Sequence, residues 1–203
     1  LALLCFIILV CASGFMLARK PVPERITYGV SFNTPYAREL GLDWKETYDA
    51  ILNELGVRHL RLAAHWDMTE PNEGEYNWSE IDYQLEGAQK KGADVIFGVG
   101  RRLPRWPECH VPAWAKSRSW DEQKVSIRKY ITETVNRYKN DPTIIYWQVE
   151  NEPYLGVFAT EYCNALDEAF LEEEIALVRT LDGTRPILVT DSGNLGTWAG
   201  AYR

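Results

Sequence analysis

The sequence predicts an α/β fold, a (β/α)8 TIM barrel of which about the first five βα units are present. Three observations carry this. Strand-like and helix-like segments alternate with little linker between them, the pattern of a parallel sheet with crossover helices. The strands read as apolar, β-branched and aromatic runs, so they are buried on both faces. Polar and charged residues gather after strands two, three and four, as they do when one site is assembled from several βα mouths. An open doubly wound sheet is the competing closure. A nucleotide-binding version would carry a Gly-rich turn after its first strand, and Val30-Ser31-Phe32-Asn33-Thr34 has none.

Ile26 to Phe32 is a short first strand, followed by a loop through Asn33, Pro35 and Gly41. Asp43, with Glu46 three residues on, opens a helix whose Trp44, Tyr48, Ile51, Leu52 and Leu55 recur at helical spacing until Gly56. Val57 to Ala64 is the second strand, and a polar loop runs to Asn77. Trp78 to Lys91 is helical and is closed by Gly92. Ala93 to Val99 is the third strand, and Gly100 to Arg118 a long loop. Ser119 and Glu122 form a capping box at the start of a helix reaching Lys139. Thr143 to Asn151 is the fourth strand; an acidic helix from Thr160 to Thr180 precedes the fifth, Pro186 to Thr190, and the last thirteen residues read as loop.

Residues 1–18 stand apart. Leu1 to Leu17 is apolar except for Ser13 and Gly14, which reads as a secretory signal or a membrane anchor. Residues 19–25 form a linker and 26–203 the partial barrel domain. The expected location is extracytoplasmic, with contact to a membrane only through the apolar segment. A net charge of −7 offers no basic footprint for nucleic acid. The three His, with no HExxH or CxxC pattern, lack metal-ligand spacing, so neither metal nor cofactor is expected. Outside the leader lie Cys109 and Cys163, which either pair in an oxidising compartment or stay as buried thiols.

Three segments look chemical. Ile144-Ile145-Tyr146-Trp147-Gln148-Val149-Glu150-Asn151-Glu152-Pro153 is a buried strand that ends in an amide, a carboxylate and a proline unable to extend the ladder. Bulky aromatics near Glu152 can exclude water and tune a carboxyl for general-acid work. Glu150 reads as a buried, paired carboxylate in a supporting role. On strand two, Arg61 lies between Leu60 and Leu62. It points either into a polar mouth, pairing with a carboxylate there, or into a structural ion pair. His65 and Trp66 sit at that strand's end. The long loop after strand three carries Trp106 and Trp114, as a platform for a sugar ring or as a lid packed over the barrel top.

Trp147 to Pro153 resembles the strand-four signature of clan-A glycoside hydrolases. The Asn-Glu-Pro ending is similar to the cellulase-like family 5, and Gln-Val-Glu-Asn-Glu to the β-galactosidase families 35 and 42. Glu70-Pro71, Gly74, Tyr76, Trp78 and Asp82 resemble the segment that follows strand two in these families. The resemblance covers about Thr27 to Ser192; after strand three, Gly98 to Arg101 gives no family-5-like His. It implies a retaining glycosidase acting on a carbohydrate, a β-linked oligo- or polysaccharide. Glu152 would be the general acid/base and Asn151 the partner of the sugar 2-hydroxyl. Arg61 would steady a nucleophilic Glu on strand seven, expected beyond the C-terminus of this chain, about 5–5.5 Å from the acid. His65, Trp66, Trp106 and Trp114 are the further candidate substrate contacts. The alternative is a non-catalytic carbohydrate-binding or membrane-tethered remnant of such a barrel.

Overall fold

A computed structural model describes residues 26–105, 108–155, 163 and 167–190. The leader, Trp106 and the first part of the predicted acidic helix lie outside the described residues. Five strands form one parallel sheet in chain order: β1 (Val30–Ser31), β2 (His59–Ala63), β3 (Asp94–Val99), β4 (Ile144–Val149) and β5 (Ile187–Leu188). Each strand therefore pairs with its neighbours in the chain and the order never reverses. That is the order of a barrel; a doubly wound sheet switches direction at its centre.

Helices fill the crossovers: α1 (Thr34–Glu39), α2 (Trp44–Asn53), α3 (Trp66–Thr69), α4 (Ser79–Lys90), α5 (Trp120–Tyr138) and α6 (Glu168–Leu181). Along β2 burial alternates, with Leu60 and Leu62 buried and His59, Arg61 and Ala63 on the other side. Leu60, Leu62, Val95, Phe97, Trp147 and Val149 join Leu52, Leu85, Ile127, Ile131 and Val135 of the helices in one apolar core. The opposite side of the sheet, facing the barrel interior, holds Arg61 and is where polar residues are free to gather.

The capping signals hold. Ser119 and Glu122 make the reciprocal box of α5, and the Asp43 side chain accepts from the Lys45 and Glu46 N–H groups at the start of α2. Gly56 and Gly92, past the ends of α2 and α4, take the left-handed conformation that glycine adopts without a Cβ penalty.

Several boundaries differ from the sequence reading. The stretch after β1 is a helix as well as a loop: the Asn33 side chain accepts the Tyr36 N–H and Pro35 sits in the first turn of α1. An Asx cap followed by proline starts a helix as readily as it breaks one. β1 itself shrinks to two residues because only Val30 and Ser31 find partners on β2. His65 and Trp66 are the cap and first residue of the single turn α3, just past β2. The described part of the acidic helix begins at Glu168, with Asp167 accepting the Phe170 N–H.

Candidate active site

β4 ends at Val149 because the next residues leave the extended region. Glu150 has φ 58° and Glu152 φ 46°, left-handed values that cost a non-glycine residue about 1–3 kcal/mol each and cluster at functional sites. The two turns separate side chains that a straight strand would place on the same side. Glu150 turns back into the protein, where its Oε1 accepts the Arg101 N–H at 2.7 Å and its Oε2 accepts the Arg102 N–H. The Glu150 N–H donates to the Val99 carbonyl at 3.0 Å and the Asn151 N–H to that of Arg102 at 2.7 Å. The mouths of β3 and β4 are thereby zipped together.

Gly100, with φ 122°, is the place where this zipper needs a missing side chain. A Cβ there would lie 2.4 Å from Glu150 Oε1. Gly100→Ala is expected to combine the backbone penalty with expulsion of the Glu150 carboxylate, lowering stability by about 3 kcal/mol or more. Equilibrium urea unfolding checks it, and an unchanged midpoint would refute the arrangement.

Behind Glu150 lies a second buried acid. Glu174 of α6 is buried and its carboxyl reaches that of Glu150 in a side-chain hydrogen bond. Arg101 provides the nearby positive charge, its guanidinium carbon resting 4.2 Å from the Trp120 ring centroid. Burial, reinforced by the Glu150 charge, holds the proton on Glu174 well above the usual carboxylate range. Such a raised folded-state pKa stabilises fully below about pH 4, where the unfolded carboxyl titrates, and the benefit fades as pH rises through the folded value. Glu174→Gln keeps an N–H donor towards Glu150 and removes the titration. The variant is expected to gain melting temperature over wild type progressively as pH rises above about 5; a difference that stays constant as pH is raised would contradict the shared proton.

Asn151 and Glu152 face the other way, towards β2. The Arg61 guanidinium donates from Nε to Gln148 Oε1 at 2.7 Å and from Nη2 to Asn151 Oδ1. Thr190, past β5, also donates to Asn151 Oδ1, at 3.2 Å, and its Oγ1 accepts the Glu152 N–H at 2.9 Å. Burial lowers the Arg61 pKa, and the carboxylates of Glu152 and Glu108 oppose that shift; the guanidinium remains a cation. Residues of β2 and of the mouths after β3, β4 and β5 thus converge on one spot, with an Arg, an amide of fixed orientation and a carboxylate at its centre. Gln148, Thr190 and Glu108 are members that the sequence reading missed. Gln148 lay inside the quoted motif, whereas no spacing or composition signal marks Thr190 or Glu108.

The aromatic candidates are placed differently. Trp66 is fully buried, with its Nε1 donating to Glu70 Oε2 at 2.7 Å and its ring between those of Trp114 and Tyr130. Trp114 donates to the Glu70 carbonyl at 2.9 Å, and Arg118 lies over its ring at 4.7 Å. Trp66 therefore has no face open to a sugar, whereas Trp114 is half-buried, with Arg118 over its ring. His65 is buried as well. Its Nε2 contacts Asn33 Nδ2 at 3.1 Å and the Pro104 carbonyl at 3.2 Å, and its ring packs 4.1 Å from that of His110. Burial, then the neighbouring His110, pushes its pKa down to about 3, so it stays neutral and buttresses the loop. Trp106 lies outside the described residues. Cys109 and Cys163 form a disulfide, which fixes the loop after β3 to the segment after β4.

Several known proteins are similar to this chain. The glycoside hydrolase 42 family, described as beta-galactosidase, matches residues 41–182. Endo-1,4-beta-xylanase 1 of Gibberella zeae is 23% identical over 141 residues, covering 64% of this chain and 36% of the xylanase. Beta-galactosidase BgaA of Clostridium cellulovorans is 24% identical over 170 residues, covering 75% of this chain and 25% of that protein. This chain therefore spans between a quarter and two fifths of the length of these curated relatives. Among solved structures, GH5_18 from Streptomyces cattleya in complex with GlcNAc superposes with a TM-score of 0.61 at 16% identity, over 81% of this chain and 44% of that one. The five-stranded sheet is thus part of a TIM barrel.

Proposed function

The chain belongs to the glycoside hydrolase 42 family, and from that premise we propose that it carries the acid/base half of a retaining β-glycosidase, with β-galactosides as its first substrate class. The observation that carries the proposal is the convergence of Arg61 and Asn151 beside Glu152 at the C-terminal mouth of β4.

In this reading the Glu152 carboxyl protonates the glycosidic oxygen as the bond to the anomeric carbon lengthens. Once the aglycone has left, the Glu152 carboxylate takes a proton from the incoming water, which releases the sugar from its covalent ester. The nucleophilic carboxylate comes from a strand later in the barrel than β5. Asn151 is held with its Oδ1 on Arg61 and Thr190, which leaves one Nδ2 hydrogen to meet the sugar 2-hydroxyl. Arg61 adds a fixed positive charge next to the reacting carboxylates, already oriented before substrate arrives.

The apolar leader at 1–18 and the Cys109–Cys163 disulfide support export to an oxidising compartment. Among the described residues no helix is long and apolar enough to cross a membrane. The non-catalytic reading drew in part on the Trp-rich loop after strand three, where Trp114 packs against Trp66 and Arg118. The test is to assay the full-length protein on aryl β-D-galactosides, β-D-xylosides and β-D-glucosides and to follow the anomeric signal of the product by NMR. Turnover with a β-product formed first supports the reading. Turnover with inversion, or binding without turnover, overturns it.

A further inference from the structure

Glu108 has no place in the mechanism above, yet it is part of the same cluster. Its Oε1 lies 3.2 Å from Asn151 Nδ2 and its Oε2 3.7 Å from the Arg102 guanidinium. Its side chain keeps 21% of its surface open, against 7% for Arg102. It is therefore more open than Arg102 and than Glu150, which is buried.

The backbone holds Glu108 there deliberately. Its φ of 65° is left-handed; its carbonyl accepts the Leu103 N–H at 2.9 Å. The next residue, Cys109, bridges to Arg102 and is bonded to Cys163. A strained residue fixed on both sides is over-determined for a simple surface ion pair.

The amide of Asn151 gives the chemistry. Arg61 and Thr190 both donate to Oδ1, so the amide orientation follows from its partners and Nδ2 must face Glu108. A donor N–H and an acceptor carboxylate thus stand side by side. A sugar hydroxyl is both an acceptor and a donor. It can accept from Asn151 Nδ2 and give its own proton to Glu108, and a hydrogen bond to a charged acceptor is the strong kind. We propose that Glu108 is a substrate-binding residue that, together with Asn151, clamps one hydroxyl of the glycone, the 2-hydroxyl. This rests on the glycosidase reading of the site.

The experiment uses the full-length protein and aryl β-glycosides of the accepted sugar, intact or singly deoxygenated at positions 2, 3, 4 and 6. kcat/KM is measured for wild type, Glu108→Ala and the isosteric Glu108→Gln. On the intact glycoside Glu108→Ala is expected to lose about tenfold to a hundredfold, the scale of one hydrogen bond to a charged group. The decisive readout is the penalty for each missing hydroxyl within each enzyme, which cancels intrinsic differences in substrate reactivity. In both variants the 2-deoxy penalty should shrink by about tenfold relative to wild type, with the other penalties unchanged. If every penalty is the same in variant and wild type, Glu108 only props the loop and the proposal is overturned. Should Glu108→Ala fail to fold, Glu108→Gln alone supplies the comparison. Wild type that hydrolyses none of these glycosides overturns the glycosidase reading itself and the proposal with it.

Discussion

Glu152→Gln is expected to reduce kcat on a disaccharide or glycan substrate by about a hundredfold to ten-thousandfold, the range a positioned proton donor contributes. The leaving group there is a sugar alkoxide, a poor one, so the bond does not break until the oxygen is protonated. A glutamine amide has no proton to give. With an activated aryl glycoside the leaving group departs without help, so the same variant should lose far less in the first step. Deglycosylation still needs a base, and the covalent intermediate should then accumulate as an initial burst. The isosteric side chain leaves the left-handed turn at 152 and the backbone bond to Thr190 untouched, so the melting temperature should hold. An equal loss on both substrate types, or none, would remove Glu152 from the role of acid/base.

A large effect on stability is expected at Asp182. Its buried carboxylate accepts from Trp147 Nε1 at 2.8 Å, the Thr184 hydroxyl at 2.6 Å and the Arg185 guanidinium at 2.6 Å. Arg185 in turn donates to the carbonyls of Ile144 and Asp141, each at 2.6 Å, and to that of Lys139. One ion pair therefore binds the end of α5, the start of β4 and the strand β5. Asp182→Ala would leave a half-buried guanidinium without its anion and a buried indole N–H without an acceptor, an expected loss of about 3 kcal/mol. The hydrogen bonds hold the Asp182 pKa well below the usual carboxylate range against the opposing pull of burial. The stability it provides is thus fully present above about pH 4, where the unfolded carboxyl titrates, and declines as pH falls towards the folded value. Urea midpoints for wild type and variant should differ most near neutrality and draw together in acid. A gap that stays constant down to about pH 2 would show that the carboxylate charge is not what matters.

What the sequence made legible were local signals. The apolar run into Glu150-Asn151-Glu152 marked β4 and its mouth. Ser119 with Glu122 and Asp43 with its first turn marked helix starts, because each acts within three residues. Arg61 was suspicious for being charged inside an apolar strand, and it does face a polar mouth. The partner it finds is an amide from β4, ninety residues away, which no local pattern encodes. The same blindness explains Trp66 and Trp114: an indole signals a large apolar area without saying which side it faces. Left-handed turns at 150 and 152 were hidden for another reason, since neither position is glycine and the strain is enforced by bonds to Val99, Arg101 and Thr190.

The chain-ordered sheet has a kinetic consequence. Because, among the described residues, each strand pairs with strands next to it in the chain, each of these βα units can add to the edge left by the one before as synthesis proceeds. The candidate site cannot form so early. Asn151 needs Arg61 from β2, the loop after β3 and Thr190 beyond β5. Its amide is oriented only after these three further segments have docked, so the candidate site is completed late in a molecule that folds from its beginning.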